Sequence, residues 1–136
     1  AAPGGAPWRW IARGEVLLAR GQRFVEECFN KALAEPGADW FDRVVIGRVY
    51  LHYEKCTAAL RALQAALELQ PAHGYVWFTL GECEAALGLD AAARERFARA
   101  LEQRPDYAPA REALAALEGE VRWSWLRGLW RRWSGR

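Results

Sequence analysis

At 136 residues, with 52% hydrophobic side chains, 26% charged ones and a net charge of +2, the chain fits one domain and is too apolar to remain disordered. No apolar run reaches the length of a transmembrane helix, and no basic stretch followed by apolar residues marks a leader at the N-terminus. Abundant Ala, Leu, Arg and Glu suit helices, and the three cysteines, Cys28, Cys56 and Cys83, lack the spacing of a zinc site or the even count of a disulfide framework. Buried thiols in a reducing compartment are the reading this favours, which points to a cytoplasmic chain.

Residues 1–7, AAPGGAP with no initiator Met, read as a Pro/Gly/Ala linker of a chain that was processed or cut from a longer one. Two helices follow, over residues 8–20 and 22–34, with Gly21 between them and Pro36 to Asp39 as a connector. Residues 40–53 form a further helix, residues 54–57 a turn with Thr57 as its cap, and residues 58–70 a helix closed by Pro71. The next helix covers residues 74–87, where Val76, Trp77, Leu80, Cys83 and Leu87 recur at helical spacing. Gly88 breaks it, Asp90 is placed to cap its successor, and a helix bearing Ala93, Phe97, Ala100 and Leu101 runs to Gln103 before Pro105.

A shift of thirty-four residues carries Arg43, Ile46 and Gly47 onto Trp77, Leu80 and Gly81, and carries Ala59, Leu63, Ala66 and Pro71 onto Ala93, Phe97, Ala100 and Pro105. A fixed period in this range means stacked helix-turn-helix units that bury their apolar faces against one another. The units are a divergent first repeat over 8–39, a second over 40–73 and a third over 74–107. Residues 108–119 begin a fourth as a partial repeat or capping helix, and residues 120–136 are a Trp/Arg-rich amphipathic tail. Small residues at Gly47, Gly81, Ala59 and Ala93 let paired helices approach, while Leu63 and Phe97 fill the space between them.

The order Trp77-x2-Leu80-Gly81, Ala93-x3-Phe97 and Pro105 resembles the tetratricopeptide repeat. Glu84 stands where that pattern has an aromatic, which the preceding unit supplies as Tyr50; Arg43 conversely replaces the Trp. The resemblance covers roughly residues 8–117 and implies an all-α solenoid, a right-handed superhelix whose concave face is lined by the first helix of each unit and receives a peptide or helix of a partner protein. It places Trp8, Ile11, Glu15 and Leu18 on that face in the first unit, then Phe41, Val44, Arg48, Leu51 and His52, then Tyr75, Phe78, Glu82, Ala85 and Ala86.

Members that grip the acidic C-terminus of heat-shock chaperones hold its carboxylate with Lys, Asn and Arg at inner positions. Here those positions are Ile11, Val45, Tyr75 and Thr79, with Glu15 where an Asn is expected, so the groove is not a carboxylate clamp. It suits an apolar or aromatic segment whose register Arg48 and Glu82 fix. Alternatively, Tyr75 and Phe78 pack on the neighbouring unit.

The tail holds half of the eight tryptophans, and residues 121–136 carry five arginines and no acid, whereas the remainder has fourteen basic and seventeen acidic side chains. Trp123, Leu126, Trp130 and Trp133 share one helical stripe with Leu129 and Trp125, opposite Arg127 and Arg131. Three uses compete: a helix that caps the solenoid, a peripheral anchor on a membrane surface or membrane-protein partner, and nucleic-acid contact, which the acidic body argues against. Docking of the tail in a groove, its own or that of another copy, would give self-inhibition or a homo-oligomer. His52 and His73 stand in no catalytic arrangement, no glycine-rich phosphate loop occurs, and the paired carboxylates suit solvated helix faces. A non-catalytic interaction module without cofactor or metal is expected, acting as adaptor, scaffold or assembly factor.

Overall fold

The computed structural model describes the backbone of residues 6–134 and the side chains of residues 6–119 and 126–133. Within these residues seven helices follow one another: α1 (Pro7–Ala19), α2 (Val25–Ala34), α3 (Trp40–His52), α4 (Cys56–Leu69), α5 (Gly74–Ala86), α6 (Asp90–Gln103) and α7 (Ala108–Ser134). They pair as α1/α2, α3/α4 and α5/α6, with α7 packed on α6. Most of the linker at residues 1–7 lies outside the described residues; only its last two are included, and Pro7 already opens α1, where its missing N–H costs nothing.

The pairing is set by three glycines. A Cβ added to Gly14 would stand 2.5 Å from the ring of Phe29, one on Gly47 would stand 2.8 Å from Leu63, and one on Gly81 would stand 2.6 Å from the ring of Phe97. In each pair the first helix therefore surrenders a side chain so that a large residue of the second can seat on its backbone. The partners Phe29, Leu63 and Phe97 are buried at 3%, 0% and 2% exposure.

Turn geometry explains where the second helices start. Glu54 and Gly88 adopt left-handed φ values of 61° and 79°, which reverse the chain so tightly that α4 and α6 begin two residues later. Thr57 and Asp90 are consequently inside their helices rather than capping them; the cap positions fall to Lys55 and Leu89, neither with a side-chain bond. In the first pair Gly21 is left-handed at 63° and Phe24 again at 69°. That longer turn delays α2 to Val25 instead of residue 22 and leaves it 10 residues long against 14 in α4 and α6.

The core is a seam of three junctions. Ile11, Phe29, Ile46 and Val49 join the first pair to the second, Val44, Leu63, Val76 and Leu80 join the second to the third, and Phe78, Phe97, Ala110 and Leu117 join the third to α7. The first junction is the looser: α2 meets α3 over far less of its length than α4 meets α5. A cavity of about 210 Å³ between Phe29, Leu33, Ile46 and Ala62 results. At the other end the partial fourth repeat expected over 108–119 and the tail expected from residue 120 share one 27-residue helix, α7, with no turn between them.

Candidate functional site

Arg48 and Glu82 are thirty-four residues apart and so occupy the same position on α3 and α5. Their side chains meet, Nη1 donating to Oε2 at 2.7 Å, with 44% and 31% of their surfaces exposed. Desolvation acts against the charge of Arg48, but the hydrogen bond and proximity of Glu82 outweigh it and raise the guanidinium above its ordinary pKa. The pair staples one unit to the next, so the two side chains expected to fix a ligand's register are bonded to each other. On α7 the same position is Ala116, and there the surface turns apolar.

Beside the ion pair opens a cleft of about 440 Å³ between α3, α5 and α7. Leu51 and Glu82 form one wall, Ala85 and Ala86 the next, Ala113, Ala116 and Leu117 the third, and Phe97 of α6 the floor. Four alanines keep the trough wide, since a longer side chain at any of them would fill it. The lining is chiefly apolar.

The other residues expected on the concave face divide. Val44 is fully buried and Phe78 is 8% exposed, so neither lines a groove. They hold equivalent positions, thirty-four apart, that point into the junction with the following unit; Phe78 lies between the rings of Phe97 at 5.8 Å and Tyr107 at 5.3 Å. Tyr75 is half-buried and packs on two of the core junctions. Phe41, at 49% exposure, leans edge-on against Trp40 at the start of α3, and His52 is exposed against Tyr53. Neither borders the cleft. Of the positions compared with the Lys, Asn and Arg of carboxylate-binding members, Ile11 and Thr79 are buried, the Thr79 hydroxyl donating to the Tyr75 carbonyl at 2.8 Å, and Glu15, Val45 and Tyr75 are half-buried.

Sequence reasoning left out Phe97, Ala113, Ala116 and Leu117. The signal was present, because the same shift that links Arg48 to Glu82 continues to Ala116 and carries Thr79 to Ala113. His73, outside any catalytic arrangement in the sequence, is half-buried: its Nδ1 accepts from the Tyr75 N–H at 3.3 Å as the cap of α5, and its ring lies 4.7 Å from Trp40. Glu84, in the slot of the missing aromatic, is a buried carboxylate whose Oε1 accepts from Arg96 Nε at 3.0 Å.

In the tail, Leu126, Arg127, Trp130, Arg131 and Trp133 are all exposed, while Trp123 and Trp125 lie outside the residues whose side chains are described. Among the described residues no helix is long and apolar enough to cross a membrane, and no group of His, Cys, Asp or Glu could hold a metal ion. All three cysteines are free thiols, and burial, with smaller contributions from Cys56 and Glu84, pushes Cys83 up to about 11.

The sequence pattern of the tetratricopeptide repeat matches residues 50–117. No curated protein matches the chain. Among solved structures, the second such domain of human RPAP3, in complex with an HSP70 peptide, superposes with a TM-score of 0.65 at 20% identity, over 83% of this chain and 98% of that one. The corresponding domain of Sgt2 from Aspergillus fumigatus gives 0.68 at 14% identity, over 85% and 79%. YrrB, described as having an unusual peptide-binding site, gives 0.65 at 25% identity over 86% of this chain, which spans 61% of YrrB. With the repeat pattern matched across half its length and its helix pairs stacked as in these solenoids, the chain belongs to the tetratricopeptide-repeat family.

Proposed function

We propose that the chain is a non-catalytic protein-interaction module, an adaptor, scaffold or assembly factor, whose cleft between α3, α5 and α7 receives an apolar segment or helix of a partner protein. The observation that carries this reading is the cleft itself: open, apolar, floored by Phe97 and walled by alanines. Concave sites of this kind take bulky anchors from a partner, and small residues on the receiving side let the partner's backbone approach. RPAP3 domains bind HSP70 and HSP90 peptides in solved complexes, so the scaffold accommodates peptides. The ligand proposed here differs, because no cation stands at the clamp positions Ile11, Glu15, Val45, Tyr75 and Thr79.

Ala86 and Ala116 are exposed, so charging them alters the cleft without touching the core. Ala86→Glu together with Ala116→Arg is expected to weaken capture of the partner co-purified from the native source at least about tenfold, with little change in thermal midpoint. Undiminished capture would overturn the assignment. The exposed Leu126, Leu129, Trp130 and Trp133 of α7 favour a second reading, in which the chain is a peripheral subunit or assembly factor of a membrane complex attached through its tail.

A further inference from the structure

α7 changes face along its length. In its first half Ala110 and Leu117 are buried and Ala113 and Leu114 half-buried against α5 and α6. At about 100° per residue these four make one stripe. Leu126, Leu129, Trp130 and Trp133 make a second, exposed by 47%, 43%, 70% and 87%. Counted along the same helix, the second stripe points to the side opposite the first. Arg127 and Arg132 stand on the two flanks of the second stripe, each about 110° from its centre, and Arg131 lies on the body-facing side. The two half-stripes cancel, so the helix as a whole has no net apolar face although each half has one.

We infer that the second stripe is an in-plane anchor for an anionic lipid bilayer surface. This deepens the second reading above and is independent of the cleft. Indoles favour the headgroup boundary, and arginines flanking an apolar stripe reach the headgroup phosphates while their stems lie along the acyl surface. Residues 121–136 hold five arginines and no acid, so the region complements an anionic surface. The tail of a second copy offers the same arginines, so two tails pairing stripe to stripe would bring like charges together. With no described helix able to cross a bilayer, the stripe lies in the surface. The opposed faces then acquire a purpose: with the stripe in the headgroups, the solenoid sits on the water side, and its excess of acid over base is held away from the anionic lipid.

The test is co-sedimentation of the full chain with protein-free vesicles of phosphatidylcholine alone or with about 30% phosphatidylglycerol. Binding is expected only to the anionic vesicles, with a blue shift of tryptophan emission and marked loss in about 0.5 M salt. Arg127→Gln with Arg131→Gln and Arg132→Gln is expected to lower partition on the order of 100-fold, and Trp130→Ser with Trp133→Ser at least about tenfold. All five positions are exposed, and unchanged helical circular dichroism checks the fold; quenching of wild-type tryptophan by brominated anionic lipid requires no variant. Equal binding to neutral vesicles, or a dimer dissolved by the tryptophan substitutions without vesicle binding, would overturn the anchor. So would binding to native membranes that is lost when their proteins are digested and is absent on vesicles, although attachment to a membrane complex would then stand.

Discussion

The glycine-to-aromatic contacts set the tolerance of the scaffold at single residues. Gly81→Ala gains about 1 kcal/mol of helix propensity but drives a methyl into Phe97, and crowding of this kind costs about 1–3 kcal/mol. A net loss of stability in urea melts is expected, whereas Gly128→Ala, with open space around it, should be neutral or stabilising. Glu54 has the opposite problem, a side chain on a left-handed backbone where the third unit uses Gly88. Glu54→Gly is expected to raise stability by about 1 kcal/mol, and an unchanged or lowered melting midpoint would count against the strain. Phe78→Ala, which a groove position would tolerate, should instead cost about 3–5 kcal/mol because Phe78 fills the third junction.

The buried thiol of Cys83 makes a pH signature. Its proton is held to about 11 in the folded chain against an ordinary value of 9.0, so the folded state binds more protons than the unfolded one in that window. The stability Cys83 contributes is complete below pH 9 and is lost as pH rises through 9 to 11; Tyr50 and Tyr107, also raised chiefly by burial, add to the fall above 10. Cys83→Ala should flatten the melting curve between pH 9 and 11. Equal slopes for the two proteins would contradict the assignment to Cys83.

Among the elements, α7 departs from the repeat plan. It starts as the first helix of a fourth unit, closes the third junction with Ala110 and Leu117, and continues where a second helix would have folded back. Because residues 126–133 are exposed, deleting residues 126–136 is expected to move the thermal midpoint by no more than about 3 °C. A collapse of the fold would revive a capping role. The amphipathic stripe was legible in the sequence, but its direction was not: whether Trp130 turns toward or away from the body depends on which face Leu117 buries, a tertiary fact. Helix starts were misjudged for a similar reason. Thr57 and Asp90 have cap chemistry, yet the left-handed residues ahead of them begin the helices earlier, and Glu54 gives no compositional hint of that geometry.

Across the whole molecule, the thirty-four-residue period made pairing and stacking readable, since Gly47 and Gly81 announce where helices touch; Gly14, thirty-three residues before Gly47, makes the same contact one residue off the period. The groove was less readable. Inner positions were placed by a repeat register that cannot separate a side chain in the junction from one in the cleft: Val44 and Phe78 belong to the junction, Leu51 and Glu82 to the cleft. Arg48 and Glu82 pair with each other, because positions one period apart are also neighbours in space. Ala116 carried no chemical signal by itself, and its meaning depends on the wall that Leu51 and Ala85 build opposite.

The central claim is that a partner occupies the cleft between α3, α5 and α7, and hydrogen–deuterium exchange on the complex isolated from its native source tests it most directly. Comparison with the free chain is expected to show new protection at the C-terminal ends of α3 and α5 and around Ala113 to Leu117 in α7. Protection confined to the outer surface of α2 and α4, with α5 and α7 unchanged, would contradict it.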